Sequence, residues 1–184
     1  MPTKYFIIAE KPELRKAVQA AIRQGYNRIP PGEYSVANSF GHLMKLKEPS
    51  DYDPKYASWS LEDLPIGFNP WEEVPILTRP DGAIGSNADA LRAIDEGIQK
   101  ADIIVNCGDV DDEGQYLVDQ LINYYMKIPK PVKRLLVMIT PRSTSSISCA
   151  TWRTTANMSV WAMLRRQERW RTLCLASITP AGTP

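Results

Sequence analysis

Residues 102–121 read "DIIVNCGDVDDEGQYLVDQL". The apolar run Ile103 to Val105 leads into a turn that carries Asp109, Asp111, Asp112 and Glu113, four carboxylates within five positions. A run this short, bounded by polar turn residues, reads as a buried strand. Beyond the turn, Leu117, Leu121, Tyr125 and Ile128 recur at helical spacing and give "EGQYLVDQLINYYMKI" one apolar stripe. Strand, acidic turn and helix follow one another with no room for a hairpin, which points to a strand paired in parallel with its neighbours.

The same unit opens the chain. "KYFIIA", residues 4–9, reads as a buried strand, and Pro12 suits the first turn of a helix. Leu14, Ala17, Val18, Ala21 and Ile22 give that helix one apolar face, and Gly25 closes it. "YSVANSF", 34–40, is a second strand running into "GHLMKL". Ser86 is a candidate N-cap for "NADALRAIDEGIQKA", in which Leu91, Ile94 and Ile98 share a face, and "VKRLLV" ends the series as a strand. Alternation of strands and helices in this order predicts an α/β fold, a doubly wound and mainly parallel sheet with flanking helices. Residues 47–85, rich in Pro, Asp and Trp and without sustained period, are expected to form an irregular insertion whose aromatics pack over one edge.

Composition sets outer bounds. At 184 residues, 43% hydrophobic and 23% charged, the chain suits one globular domain with a proper core. It has no run of eighteen apolar residues and its N-terminus does not read as a signal peptide, so a cytoplasmic protein with no membrane partner is expected. Cys107, Cys149 and Cys174 form no CxxC pair and suggest no disulfide framework.

In open parallel sheets, ligands sit beyond the carboxyl ends of the strands. That places Glu10, at the end of the first strand, near Asp109 and Asp111. Like charges gathered at close range call for a cation or a shared proton. A hard ion such as Mg2+, which binds through one or two carboxylates together with waters and phosphate, is the economical answer. Glu113 supplies a fourth oxygen donor or an acid/base group. Asp112 is redundant and reads as an ordinary acid at a helix N-terminus. Lys11 reads equally as a phosphate contact or as a solvated lysine, and His42, the single histidine, as structural. Zinc is not expected, for want of Cys and His clusters, and neither a Walker loop nor a GxGxxG turn is present.

"FIIAEKP", "SFGHLMKL", "WSLEDLPI" and "DVDDEGQYLVDQL", in this order, resemble the N-terminal Toprim domain of type IA DNA topoisomerases, and within that family topoisomerase III. The resemblance covers residues 4–137. It implies a Toprim, Rossmann-like domain over 1–137 and an acidic Mg2+ centre of Glu10, Asp109, Asp111 and Glu113. It also implies catalytic roles for Glu10, Lys11 and Glu113, and DNA contacts from Lys11 and His42. Asp112 departs from the family, which commonly has Arg there. The implied reaction is transesterification: a tyrosine attacks one DNA strand, a second strand passes, and the break is resealed. In the family that tyrosine lies in a later domain, so this chain alone is expected to be inactive. Tyr116, Tyr124 and Tyr125 belong to a helix and its flank. No small-molecule cofactor is implied.

The resemblance stops at Val137. Residues 138–184 contain no lysine, 14 Ser and Thr, three of the five tryptophans, and six arginines against one acid, Glu168. Read one nucleotide earlier, the codons of "TWRTTANMSVWAM" permit "LADNREYERLGN", and those of "SITPAGTP" permit "INHSRGYT", close to a family stretch that follows the Toprim domain. The tail from 138 is therefore expected to be an irregular, out-of-frame segment without a native domain. Two other readings stand beside this one. They are a free-standing Toprim nuclease using the same acids, and a non-catalytic DNA-binding module using the arginine tail.

Overall fold

Lys4–Ala9 (β1) and Ile103–Cys107 (β5) are neighbouring interior strands of a five-stranded sheet. The computed structural model describes residues 1–25, 29–39, 41–58, 60–77, 86–139 and 147–154; for residues 86, 138, 139 and 147–154 the description is of the backbone. The other elements in chain order are α1 (Pro12–Arg23), β2 (Glu33–Asn38), β3 (Met44–Leu46), α2 (Pro49–Tyr52), β4 (Glu73–Pro75), α3 (Ser86–Lys100), α4 (Asp112–Tyr125), β6 (Val132–Ile139) and β7 (Ile147–Thr154). The sheet order is β2-β1-β5-β6-β7, with β2, β1, β5 and β6 parallel and β7 antiparallel to β6. The expected mainly parallel α/β sheet is present.

Period-two alternation sorts the strand side chains onto two faces. Phe6, Ile8 and Ile104 pack with Leu91, Ile94 and Ile98 of α3 and with Val118, Leu121 and Ile122 of α4. Tyr5, Ile7, Val105, Cys107 and Leu135 pack on the other face with Leu14 and Val18 of α1. The apolar faces expected for α1 and α3 are the buried ones. Gly25 ends α1 at φ +65°, a conformation that favours glycine, and its N–H bonds the Ile22 carbonyl at 3.1 Å.

Three expectations are corrected. Ile128 is not on the α4 stripe: the helix ends at Tyr125 and Ile128 is exposed. Pro129 follows it, and the residue before a proline is pushed out of the helical region. The tail from 138 is not irregular throughout, because β6 runs on to Ile139 and residues 147–154 form β7. Pairing with β6, from Lys133 opposite Thr154 to Ile139 opposite Ile147, supplies the ladder that local periodicity did not announce. Ser86 is the first residue of α3 rather than the residue before it.

The chain divides into two units, 1–45 with 75–157, and 46–74 with 158–184. In the described part of the second, 46–58 and 60–74, no element exceeds five residues. The aromatics there pack on one another. Tyr52 stacks on Phe68 at 3.9 Å, and Trp71 and Tyr56 meet the Phe68 ring edge-on at 5.0 and 5.9 Å. Lys47 lies over the Tyr52 ring at 4.5 Å and pairs with Glu72 at 3.1 Å. Among the described residues no helix is long and apolar enough to cross a membrane.

Candidate functional site

Ala9 lies opposite Cys107 in the parallel β1–β5 ladder, so the next residues of both strands, Glu10 and Gly108, leave the sheet side by side. Glu10 Oε2 accepts from the Asp109 backbone N–H at 3.0 Å. The Lys11 ammonium donates to Asp109 Oδ2 and stands 3.6 Å from Glu10 Oε1. Two acids ninety-nine residues apart thus share one cation. The hydrogen bond to Asp109, followed by the charges of Asp109 and Glu10, raises the Lys11 pKa and keeps it protonated.

Asp111 and Glu113 are engaged differently. Asp111 is the N-cap of α4, its Oδ1 accepting from the Gly114 N–H at 2.6 Å. Glu113 points to His42, whose Nε2 lies 3.3 Å from Glu113 Oε1 in an exposed pair. His42 is therefore tied to the acidic turn. A cavity of about 370 Å3 is lined by Lys11, Glu13, Asp109 and Asp111 on its polar side and by Leu14, Val110 and Val137 on its apolar side.

Among the described residues, no three His, Cys, Asp or Glu side chains are gathered closely enough to hold a metal ion as they stand. What converges is Glu10 and Asp109, and a cation, the Lys11 ammonium, is already between them. Glu10 and Asp109 are hard oxygen donors, and Asp109 lines the cavity; Mg2+ binds through one or two such carboxylates, keeps several waters and takes phosphate oxygens as further ligands. The donor set fits that ion.

Sequence reasoning missed what holds the acidic turn in place. Arg134, on β6 and 2% exposed, donates from Nη1 to Asn106 Oδ1 at 2.7 Å and to the Asn106 and Gly108 carbonyls at 3.3 and 3.0 Å. Its Nη2 donates to the Asp109 carbonyl at 2.6 Å. Burial lowers the Arg134 pKa, and Cys107, Asp119, Asp109 and Asp111 act against that. Asn106 uses every polar atom of its amide. Its Oδ1 also accepts from the Gly108 N–H at 2.9 Å, and its Nδ2 donates to the Gln115 carbonyl at 3.0 Å and to Asp119 Oδ1 at 2.7 Å. One signal was available: a lone arginine inside the apolar run "VKRLLV" needs a buried set of acceptors. Cys107, pushed up to about 12 by burial, is an inert thiol.

Both glycines of the turn are required by close approach. A Cβ on Gly108 would collide with the Gly114 carbonyl, and one on Gly114 would sit 2.6 Å from the Asp109 nitrogen and inside contact distance of the Glu10 carboxylate. The spacing G-D-x-D-x-E-G therefore folds strand end and helix start onto each other.

A family model described as the Toprim domain matches residues 6–139. The chain belongs to the Toprim domain family. This Toprim chain is 33% identical to DNA topoisomerase 3 of Vibrio cholerae over 91% of its length, covering 26% of that protein. It is 37% identical to DNA topoisomerase 3 of Pasteurella multocida over 64% of the chain, and 35% identical to that of Salmonella typhimurium over 71%. The chain spans about a fifth of the length of those two relatives, 18% and 20%. Its Toprim domain is similar to part of proteins named DNA topoisomerase 3.

Proposed function

We propose that this Toprim chain is the metal- and phosphate-handling part of a topoisomerase III-like enzyme that acts on single-stranded DNA in the cytoplasm. The observation that carries the reading is the convergence of Glu10, Asp109 and Lys11 beyond the ends of β1 and β5. Glu10 and Asp109 would hold Mg2+, with Asp111 and Glu113 beside them at the start of α4. The ion supplies charge neutralisation for a phosphodiester under attack. Lys11 binds a phosphate oxygen of the DNA strand, and Glu113, paired with His42, serves as the proton-handling group on that side.

Strand cleavage needs a nucleophile that becomes covalently joined to phosphorus as the sugar oxygen leaves. We assign that role to a tyrosine outside this chain. Tyr116 is occupied as the acceptor of a 2.7 Å hydrogen bond from Gln120 Nε2, and burial raises the Tyr125 pKa. Alone, the 184-residue chain is expected to neither relax supercoiled plasmid nor form a covalent DNA adduct. Its binding of a single-stranded oligonucleotide should strengthen with Mg2+ and lose that dependence in Asp109→Ala. Metal-dependent nicking of plasmid, abolished in Asp109→Ala, would instead make the chain a nuclease.

The tail from residue 138 is read as out of frame on the codon readings above, while the similarity to the Vibrio cholerae protein, over 91% of the chain, runs on past Val137 and bears against it. Sequencing the gene from codon 130 onward tests this. A frame one nucleotide back that closes at once with stop codons would make the tail genuine.

A further inference from the structure

Lys11 pairs with two carboxylates, Glu10 and Asp109, from a side chain that is 57% exposed. It sits at the N-cap of α1 and makes no side-chain capping bond there, so leaving the acids would cost the helix no cap. Glu10, by contrast, is fixed: its Oε2 is bonded to the Asp109 N–H, and its side chain is 12% exposed. Glu10 keeps that bond when the ammonium departs, and the Asp109 backbone stays gripped by Arg134.

We propose that Lys11 is the resident counter-cation of the acidic site, displaced from Glu10 and Asp109 by a divalent metal ion and thereby released toward a phosphate oxygen, so that metal binding and phosphate binding favour each other. This rests on the metal-binding reading of the site given above. Two carboxylates and one ammonium sum to −1. A divalent ion brings the same cluster to +1 and leaves the ammonium without its acceptors. Phosphate therefore meets a repulsive cluster before the metal enters and an attractive one afterwards. Such coupling is reciprocal: phosphate that engages Lys11 removes the competitor of the metal.

The test uses the whole 184-residue chain as wild type, Lys11→Met and Lys11→Arg, each checked for fold by circular dichroism. Mg2+ is titrated calorimetrically. Loss of an exposed competing ion pair is expected to tighten Mg2+ binding in Lys11→Met about two- to fivefold, with Lys11→Arg close to wild type. A general structural role for Lys11 would weaken metal binding or leave it unchanged. The Lys11 Nζ resonance in the wild type, followed by NMR, should shift as Mg2+ is added, a readout that needs no variant. If Lys11→Met binds Mg2+ no more tightly than a wild type that does bind, the counter-cation role is wrong and the metal site stands. If none of the folded proteins binds Mg2+, the metal reading itself fails and this proposal falls with it.

Discussion

Arg134 Nη2 donates to the carbonyl oxygen of Asp109 at 2.6 Å, from a side chain that is 2% exposed. A residue on β6 thus grips the backbone of the very position whose side chain pairs with Lys11. Its planar fork reaches Asn106, Gly108 and Asp109 together, which a single ammonium cannot imitate.

Replacing Arg134 by Met should therefore leave buried carbonyls without donors. The expected loss is roughly 2–4 kcal/mol in urea denaturation, with Lys recovering only part of it. Mg2+ affinity should fall as well, because the acidic turn loses its anchor. A Met variant with the wild-type urea midpoint and wild-type Mg2+ binding would falsify this role.

Asp109 and Glu113 should differ in weight. Asp109 faces Glu10, whereas Glu113 faces His42. Asp109→Asn is expected to weaken Mg2+ binding more than about tenfold, and Glu113→Gln by distinctly less. Titration calorimetry on the two variants decides; equal losses would mean that Glu113 rotates fully into the metal site.

Asp119 gives a pH signature. Burial raises its pKa above the ordinary 3.8, while hydrogen bonds from Gln115 and Asn106 and the charge of Arg134 act in the opposite direction. The folded protein then keeps a proton that the unfolded chain has released, so this group's stabilisation is present at acid pH and is lost as pH rises through the folded pKa. Asp119→Asn should remove that slope. Gln115 Oε1, buried and without a partner among the described residues, is then placed to accept from the new amide. Urea midpoints from pH 4 to pH 7 should decline more for wild type than for the variant, and parallel curves would count against the assignment.

Lys130 closes the end of α3. Its ammonium donates to the carbonyls of Ile98, Gln99 and Ala101 at 2.7, 2.6 and 2.8 Å. Lys130→Met leaves these helix-end acceptors unpaired and should cost roughly 1–2 kcal/mol, read as a lower melting temperature with unchanged Mg2+ affinity.

Much of this was legible along the chain. The apolar faces of α1 and α3 follow from spacing, because one buried side per helix leaves a period in the residues, while β1 and β5 show as short apolar runs because both of their faces are buried. The exposure of Ile128 was legible too, in Pro129, although the stripe argument passed over it. The strand at 147–154 was not, since an edge strand is defined by its partner and its own residues carry little of the signal. Nor was the division of labour among the acids. Four carboxylates in one turn look alike in one dimension, and only the fold separates Asp109 beside Lys11 from Asp111 at a helix cap and Glu113 beside His42.

The α/β alternation, the acidic turn after a buried strand and the Toprim family are readable along the chain, because local periodicity and ordered motifs belong to the chain itself. The tertiary structure alone decided that Glu10 and Asp109 share Lys11 and that Arg134 and Asn106 hold the turn from beneath. The contacts of Arg134 with the turn and of Glu10 with Asp109 join residues 25 to 99 positions apart, and a distance in space across parallel strands leaves no period in the sequence to read.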